Sequence, residues 1–366
     1  MTDPRTCDVH RLHLVTYENG LKLQEKLVEL RQREAIGDQL LLLEHPPVIT
    51  LGRGGKLDHL LASPAALGAN GVRFYETTRG GDITYHGPGQ LVGYPILHLG
   101  EGNRDIRKYV TNLEEVLIRT VAEYGITATR VEGRRGIWVG NDKIAAIGVR
   151  IARWVTSHGW ALNVNTNLEH FRLITPCGLH GTGVTSIARE TGRSIAMNDV
   201  REVLAAKFAE VFTRTLVPRE ETLRLVKILV HDPSQDNVRV LLLHRKPQRG
   251  DFWQPITGSI EPDEAPDATA RRELVEETGH AGEPRPLELV QSFMIESHYL
   301  ESRGFTPPII ASEICYTAAL DARLPIRLDA DEHDDYGWFT LDEAYERIRW
   351  TDDREALERF QRLANA

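Results

Sequence analysis

The sequence predicts a protein of mixed α and β structure, of the α/β or α+β class, that folds into two domains. The first observation is length, because 366 residues exceed what one ordinary hydrophobic core accommodates. The second is that segments with helical spacing alternate with short apolar segments typical of strands. The third is charge, because residues 1–215 hold 26 Lys and Arg against 23 Asp and Glu, whereas residues 216–366 hold 18 against 30. This asymmetry indicates different partners for the two halves.

The predicted elements follow from the spacing of apolar residues and from turn signals. In the first half they are helices over 19–33, 107–124 and 198–215, a buried strand over 39–44, and several strands between 136 and 165. In the second half they are hairpin strands over 223–231 and 238–244, and a helix over 266–278 that Gly279 ends. The short polar stretch 216–222 contains Pro218 and is predicted to be a linker. We therefore place the domains at 1–215 and 223–366.

Composition argues against several classes of protein. Hydrophobic residues make up 41% and charged residues 27%, as in a soluble globular protein, and the longest aliphatic run is far shorter than the ~20 residues that span a bilayer. The first residues lack the apolar segment of a secretory signal, so we expect a cytoplasmic protein with no membrane partner. Three widely spaced cysteines, Cys7, Cys177 and Cys315, argue against a disulfide framework. The sequence has no concentrated basic stripe, so nucleic acid is not an expected partner.

The most informative segment of the chain is 79–96. Its first twelve residues contain four glycines and one proline, so the backbone can approach a ligand closely. The side chains of Arg79, Thr84, Tyr85, His86 and Gln90 add hydrogen-bonding groups that a simple turn does not need. We predict a ligand-binding loop that leads into a buried strand.

Cys177 lies between a proline and a glycine, where the backbone can hold a thiol in a fixed and partly open position. A free thiol has a pKa near ~8.5 and needs a nearby cation to ionise at neutral pH. The candidates are Lys143, which stands alone before an apolar strand, and the histidines His86 and His158. Partial burial would lower the pKa of Lys143 and suit it to acid and base chemistry. The alternative is that Cys177 is a small core residue and Lys143 a solvated lysine.

Five separated blocks of the first half resemble, in order and with natural spacing, the motif series of the lipoyl(octanoyl) transferases. The blocks are 79–96, 136–139, 143–150, 158–165 and 176–178. The resemblance covers roughly residues 10 to 215 and implies the fold shared by biotin and lipoate ligases. It further implies that octanoyl-acyl carrier protein donates an octanoyl group to a lysine of lipoyl domains, those of 2-oxoacid dehydrogenases and of the glycine cleavage H protein.

This resemblance implies roles for individual residues. Cys177 would attack the octanoyl thioester to form an acyl-enzyme, and Lys143 would favour its thiolate and then carry a proton for the incoming amine. A thioester donor is already activated, so the transferase is expected to need no cofactor. The residues expected to line the acyl and pantetheine channel are Arg79, Gly80, Gly81, Asp82, Ile83, Thr84, Tyr85, His86, Ala146, Ile147, Gly148, Gly159, Trp160 and Ala161.

An ATP-dependent lipoate or biotin-type ligase would share this fold and is the main alternative. Activation by ATP requires a lysine and groups that bind phosphate but no thiol, so Cys177 favours the transferase. The glycine-rich stretch 52–56 superficially resembles a phosphate loop, but it lacks the spacing of one. We interpret it as a turn.

Three glutamates mark the second half. Glu273, Glu276 and Glu277 occupy positions i, i+3 and i+4 of the predicted helix, so their carboxylates share one face. A charge run usually forms a solvated face. Carboxylate oxygens are nevertheless the ligands that Mg²⁺ or Mn²⁺ prefers when it also binds substrate phosphates.

Together with Gly258, Glu264 and Arg272, these glutamates reproduce the full spacing of the Nudix box, and residues 222–360 resemble a Nudix hydrolase. The resemblance implies an α/β/α sandwich that hydrolyses a nucleoside diphosphate linked to another group. It also implies that Arg272 orients the glutamates and that Glu264 supports the loop, while Glu332 is a weaker candidate for a further ligand or base. The last box position is usually apolar and is His280 here, which does not affect an implied metal ligand.

The segments 252–259 and 336–339 look similar to those of the dihydroneopterin triphosphate pyrophosphatases. A pterin triphosphate therefore joins nucleotides among the expected substrates. The competing interpretation of this half is a non-catalytic module that binds a nucleotide or regulates the transferase. The intact glutamates of the box favour catalysis.

Overall fold

A computed structural model describes residues 5–100, 104–175, 182–219, 223–233, 238–261, 263–295 and 308–364. The chain divides into two compact units, one made of Met1–Leu12 and Gly20–Glu220 and the other of His13–Asn19 and Glu221–Ala366. Strands and helices alternate through both, which confirms the predicted mixed α and β class. Each unit is described by itself.

The elements up to residue 219 are strands interrupted by five helices among the described residues. The strands are β1 (Thr6–Leu14), β2 (Asp38–Glu44), β3 (Val48–Leu51), β4 (Arg73–Glu76), β5 (Ile83–His86), β6 (Gln90–Ile96), β7 (Thr129–Val131), β8 (Arg134–Val139), β9 (Asp142–Ala152), β10 (Val155–Asn163), β11 (Gly183–Val184) and β12 (Thr215–Arg219). The helices are α1 (Tyr17–Gln32), α2 (Pro64–Ala69), α3 (Ile106–Ala122), α4 (Ile187–Thr191) and α5 (Met197–Phe212).

The main sheet of this unit has the strand order β12-β1-β2-β6-β10-β9-β8-β7. β2 and β6 pair antiparallel, and their residues are almost all buried, which explains their continuous apolar runs. Helices α3 and α5 turn their apolar sides to this sheet and share its core, where Leu117 of α3 and Phe208 of α5 are fully buried. Helices α3 and α5 thus pack on one face of the sheet, and the candidate site described below lies on the other face of β9 and β10.

A smaller sheet of order β4-β3-β5 has its own core, which includes Ile49, Tyr85 and Phe171. Strand β5 lies inside the segment predicted to be a loop, and it pairs antiparallel with β3. It forms because Ile83 and Tyr85 alternate with more polar neighbours and both enter this core. The buried strand predicted after the loop is confirmed as β6.

The second unit forms a sheet of order β15-β14-β13-β18-β17, with β16 beside β13 and β19 beside β14. Its strands are β13 (Leu223–Asp232), β14 (Arg239–Arg245), β15 (Phe252–Gln254), β16 (Ile256–Ser259), β17 (Arg285–Ile295), β18 (Ile309–Ala319) and β19 (His333–Thr340). Its helices are α6 (Pro266–Thr278), α7 (Leu341–Arg347) and α8 (Thr351–Ala364).

Helix α6 packs in one core of this unit through Ala270 and Leu274, and α8 packs in another through Leu357 and Phe360. Alternate residues of β13 enter the two cores, so helices cover both faces of the sheet. The predicted α/β/α sandwich is therefore confirmed. Gly279 ends α6 in the left-handed conformation, with φ of 76°, as predicted from its position.

The start of the predicted linker has regular structure. Residues Thr215–Arg219 form β12, parallel to β1, because Leu216 packs against the core of the main sheet. Residues 216–219 of the predicted linker thus belong to this strand, and residues 220–222 lie outside the described part of the chain. The domain boundaries stay a prediction. Among the described helices, none is both long enough and apolar enough to cross a membrane.

Candidate functional site

Strands β9 and β10 bring two of the predicted substrate-binding segments together. Their register pairs Ala146 with Ala161, Ile147 with Trp160 and Gly148 with Gly159. Successive side chains of a strand point to opposite faces, so the alanines and glycines share one face while Ile147 and Trp160 point into the core. The first face is a floor of small residues. Trp160 and Ile147, expected to line the channel, pack in the hydrophobic core instead.

The glycine-rich loop crosses this floor. The Gly80 amide donates to the Val149 carbonyl at 3.0 Å. A Cβ atom at position 148 would lie 2.8 Å from the Gly80 carbonyl oxygen, so this close approach requires glycine. Arg79 turns inward, and its guanidinium donates to the Thr50 carbonyl at 2.6 Å. The loop is therefore held on the floor by its own backbone and by Arg79.

The other predicted loop residues have different surroundings. Asp82 lies 2.7 Å from the imidazole of His59, and one of its oxygens accepts the Ile83 amide. Ile83 and Tyr85 belong to the core of the small sheet, and Tyr85 hydrogen-bonds to His170 at 2.7 Å. Of the side chains in β5, Thr84 alone is partly exposed. The predicted lining is thus mainly backbone and small side chains.

The glycine-rich turn 52–55 has no amides to offer a phosphate. The amides of Gly52, Arg53 and Gly54 donate to carbonyl oxygens of the loop at 3.0 to 3.2 Å, and the Gly55 amide donates to the Gly52 carbonyl at 2.9 Å. Phosphate loops bind through free backbone amides. The interpretation of this stretch as a turn is therefore confirmed.

Lys143 lies at the start of β9 and is 9% exposed, with its ammonium 4.8 Å from the centroid of the Trp138 ring. Its carbonyl accepts the Thr185 amide at 3.0 Å, and Val184 of β11 is its register partner. The predicted burial of this lysine is confirmed. Cys177 lies outside the described residues.

The two candidate histidines of the first half are buried. Burial lowers the pKa of His158 to about 3, with a further contribution from Arg79. Burial also lowers the pKa of His86 well below its usual range, and the charges of His45 and Arg79 act in the same direction. Both imidazoles are therefore neutral at physiological pH and cannot act as the cation that stabilises a thiolate. Of the three candidates, this leaves Lys143.

In the second unit, Arg272 is the centre of the box. Its guanidinium donates to Glu273 at 2.7 Å and to Glu276 at 2.9 Å, and it forms a bidentate pair with Glu264 at 3.0 and 3.1 Å. The same guanidinium lowers the pKa of Glu264 to about 2. Arg272 therefore orients the glutamates, as the resemblance implied. Glu264 holds Arg272 in place and also accepts the Glu261 amide of the loop.

The three box glutamates differ in environment. Glu273 and Glu277 are buried, whereas Glu276 is exposed. The helix face that the three carboxylates are predicted to share is therefore partly buried. Burial raises the pKa of Glu273 to about 7, against the opposing effect of Arg272. A Cβ atom at Gly258 would lie 1.9 Å from the Glu273 carboxyl carbon. The first glycine of the box thus makes room for this carboxylate.

Glu277 Oε2 lies 3.0 Å from Nδ1 of the buried His333, yet it makes no hydrogen bond. A buried carboxylate oxygen without a hydrogen bond and a set of hard oxygen donors fit a divalent cation. In the described ranges, no group of three or more His, Cys, Asp or Glu is arranged to hold a metal ion. Arg272 pairs with two of the box carboxylates, those of Glu273 and Glu276. Glu332, the weaker candidate, pairs with Arg245 at 3.1 Å.

Comparison with known proteins defines the class. The family described as Lipoyl protein ligase A/B catalytic domain matches residues 16–209, and the NUDIX domain family matches residues 222–360. The fold is thus that of a lipoate ligase-like catalytic domain followed by a Nudix domain.

An octanoyltransferase of Myxococcus xanthus is 43% identical over 360 residues, which cover 97% of this chain and 99% of that protein. An octanoyltransferase of Caldicellulosiruptor saccharolyticus is 49% identical over 228 residues, covering 61% of this chain and 97% of that protein. The chain belongs to the octanoyltransferase family and carries a C-terminal Nudix hydrolase domain. Among solved structures, the E. coli dihydroneopterin triphosphate pyrophosphohydrolase is 26% identical, with a TM-score of 0.34, over 40% of this chain and 100% of that chain.

Several residues that surround the two sites were missed from the sequence. They are Thr50, which receives Arg79, the buried Asn163, which accepts from Gln90 of the loop segment, and His333 beside Glu277. Thr50 and Asn163 lie in apolar strands, where a single polar residue at an inward position is the only signal. That signal does not show which residue the polar side chain contacts.

Proposed function

We propose that the first domain transfers an octanoyl group from octanoyl-acyl carrier protein to a lysine of a lipoyl domain through a thioester on Cys177. The observation that carries this proposal is that both sides of the segment holding Cys177 are attached to the candidate site. Before it, the Thr175 amide donates to the carbonyl of His59 at 2.8 Å, and the His59 imidazole contacts Asp82 of the loop. After it, β11 pairs with the start of β9 at Lys143.

The other two cysteines support this assignment because their thiols are unsuited to act as nucleophiles. Cys7 and Cys315 are free but fully buried. Burial raises the pKa of each thiol far above its usual range. A buried thiol with a raised pKa is inert as a nucleophile. Cys177 is the remaining cysteine of the chain.

The chemistry has two steps. The Cys177 thiolate attacks the thioester carbonyl, a new carbon–sulfur bond forms, and the thiolate of the carrier leaves with a proton from the Lys143 ammonium. The substrate lysine amine then attacks the acyl-cysteine, an amide bond forms, and the Cys177 thiolate leaves. Lys143 takes the amine proton and regains its charge. We assign the apolar chain to the floor of alanine and glycine beside the loop.

The test of this proposal is the acyl adduct. The full chain, incubated with octanoyl-acyl carrier protein without ATP, is expected to gain one octanoyl group on the peptide that contains Cys177, as measured by intact and peptide mass. A lipoyl domain added afterwards should remove the adduct and become octanoylated. An unmodified protein that octanoylates the lipoyl domain only from free octanoate and ATP would instead establish the ligase.

Lys143→Met is expected to lower the rate of octanoyl transfer by roughly 10² to 10⁴-fold, the usual effect of losing a general acid and base. Methionine preserves the length and the packing against Trp138, so the fold is retained. The measurement is single-turnover formation of the adduct, and Lys108→Met, at an exposed lysine of the same domain, is the matched control. Equal rates for the two variants would remove Lys143 from the mechanism.

For the second domain we propose hydrolysis of a diphosphate bond in a nucleotide or pterin triphosphate. The support is the box geometry, in which Arg272 holds Glu273 and Glu276 while Glu277 is buried. Glu273, Glu276 and Glu277 would hold Mg²⁺ or Mn²⁺, which supplies neutralisation of phosphate charge and an activated water when bound. Arg272 must release the carboxylates that serve as ligands, and its pairing with Glu264 keeps it nearby.

Glu277→Gln is expected to lower diphosphate hydrolysis by at least about 100-fold, because even residues that only support metal ligands cost 10 to 100-fold when they are replaced. The assay is Mg²⁺-dependent release of phosphate or pyrophosphate by the full chain from a panel of nucleotides and a pterin triphosphate. Octanoyl transfer by the same variant is the internal control and should not change. Tight binding of a panel member by the unmodified protein without any hydrolysis would favour the binding module.

A further inference from the structure

A chain of buried polar side chains connects the loop to the segment beside Lys143. Its members are Arg79, Thr50, His86, Gln90, Asn163 and Thr185. Each of these residues is less than a tenth exposed, and they come from six separate strands or loops. Buried polar groups that are fully hydrogen-bonded specify one arrangement of the chain around them.

Two backbone carbonyls fix the direction of the amides. Gln90 Nε2 donates to the Tyr85 carbonyl at 3.1 Å and to Asn163 Oδ1 at 2.9 Å. Asn163 Nδ2 donates to the Thr185 carbonyl at 3.0 Å. A carbonyl oxygen only accepts, so rotating either amide by half a turn would place oxygen against oxygen. Gln90 Oε1 must therefore be an acceptor.

This direction fixes the tautomer of His86. Its Nδ1 lies 2.8 Å from Gln90 Oε1 and must carry the proton. Burial keeps the ring neutral by lowering its pKa, so Nε2 is an acceptor. The Thr50 hydroxyl lies 3.5 Å from Nε2, and its oxygen already accepts from Arg79 at 2.8 Å, which leaves its proton for the imidazole.

Every hydrogen bond therefore runs the same way, from the Arg79 guanidinium through Thr50, His86, Gln90 and Asn163 to the Thr185 carbonyl. The Thr185 amide in turn donates to the Lys143 carbonyl at 3.0 Å. A series of bonds in one direction strengthens each member, and the guanidinium at its start increases the effect. The series joins the loop that crosses the floor to the strand that holds Lys143.

We propose that Gln90 and Asn163 are positioning residues of the transferase, which hold His86 as the Nδ1-protonated tautomer and set the position of the loop relative to Lys143. Neither residue has to touch substrate for this role. The inference rests on the proposed function of the first domain, since it assigns support to the same site. It extends that function to two residues outside the predicted channel lining.

The test measures directly which tautomer of His86 is present. In the full chain with ¹⁵N-labelled histidine, long-range ¹H–¹⁵N correlation of the rings reports which nitrogen carries the proton, and His86→Gln identifies the signal. The unmodified protein should show His86 protonated at Nδ1. Gln90→Met keeps the side-chain volume but removes all three hydrogen bonds of the Gln90 side chain, and it should move His86 toward the Nε2-protonated form. Observation of the Nε2 form in the unmodified protein would overturn the proposal.

Kinetics provide the second measurement. Gln90→Met and Asn163→Leu should each lower kcat by up to about 10²-fold, as small displacements of reacting groups do, with little change in KM for octanoyl-acyl carrier protein. The control is Asn165→Leu, which removes a comparable bond from an amide to the Ile195 carbonyl outside the series. If all three variants show the same tautomer and the same kcat, the series has only a structural role. An unmodified protein without an acyl adduct would overturn the proposed function, while the tautomer would still test the network.

Discussion

Cys177→Ala is expected to lower octanoyl transfer by at least about 10³-fold, since removal of a nucleophile costs more than that in enzymes that form an acyl intermediate. Alanine has no group that can form the thioester, and no described cysteine can replace it. The measurements are the rate of octanoylation of a lipoyl domain and the mass of the protein after incubation with octanoyl-acyl carrier protein. We expect no adduct on this variant.

The chain offers two matched controls for this result. Cys7→Ala and Cys315→Ala each remove one thiol that is fully buried, with a pKa raised by burial. Both variants should keep the adduct and a transfer rate close to that of the unmodified protein. Transfer by Cys177→Ala at a tenth of the normal rate, or loss of the adduct in Cys7→Ala, would contradict the assignment of the nucleophile.

Lys227→Met is expected to destabilise the second domain by about 3 to 5 kcal/mol, the cost of removing one partner from a buried charge cluster. Lys227 is 1% exposed, and its ammonium lies 2.5 Å from Glu313, 2.6 Å from Asp353 and 3.3 Å from Asp352. Burial raises the pKa of Glu313 to about 7 and that of Asp353 to about 6, and Lys227 opposes both shifts. Without the lysine, these carboxylates would have no cation to neutralise them.

The measurement is hydrogen exchange under native conditions, followed by mass spectrometry of peptides from β13 and β18, because it reports on this domain within the full chain. A triple variant, Lys227→Met with Glu313→Gln and Asp353→Asn, removes the excess negative charge and should recover much of the loss. If Lys227→Met alone lowered the free energy of unfolding by less than about 1 kcal/mol, below the range for a broken buried ion pair, the cluster would tolerate the loss of its cation.

The regular elements of this protein could be predicted because their signals are local. The helix predicted over 266–278 has the observed bounds, and the strand predicted over 39–44 begins one residue earlier. The spacing of apolar residues indicates both elements, and Gly279, which follows directly, ends the helix. Strand β5 was missed because glycine and proline on both sides favour a loop, whereas a core that forms only in the folded unit selects a strand.

The sites were predictable only in part. Motif spacing identified Lys143 and the box glutamates, because chemistry requires those residue types at those positions. It placed Trp160 in the lining, but the register of β10 turns this side chain into the core. Gln90 and Asn163 meet across 73 positions of sequence, so no local pattern could show that they pair. Such contacts depend on the packing of whole strands, which a single sequence does not reveal.

The glycine-rich turn at 52–55 also affects how readily this enzyme could change from a thioester donor to ATP as the source of energy for acylation. All four of its amides are bound to carbonyl oxygens, three of them in the loop that crosses the floor. Presenting those amides to the phosphates of a nucleotide would require breaking these hydrogen bonds and moving the loop off the floor. No single side-chain replacement achieves that. On an evolutionary path between thioester-driven and ATP-driven acylation, this turn is a barrier made of backbone hydrogen bonds.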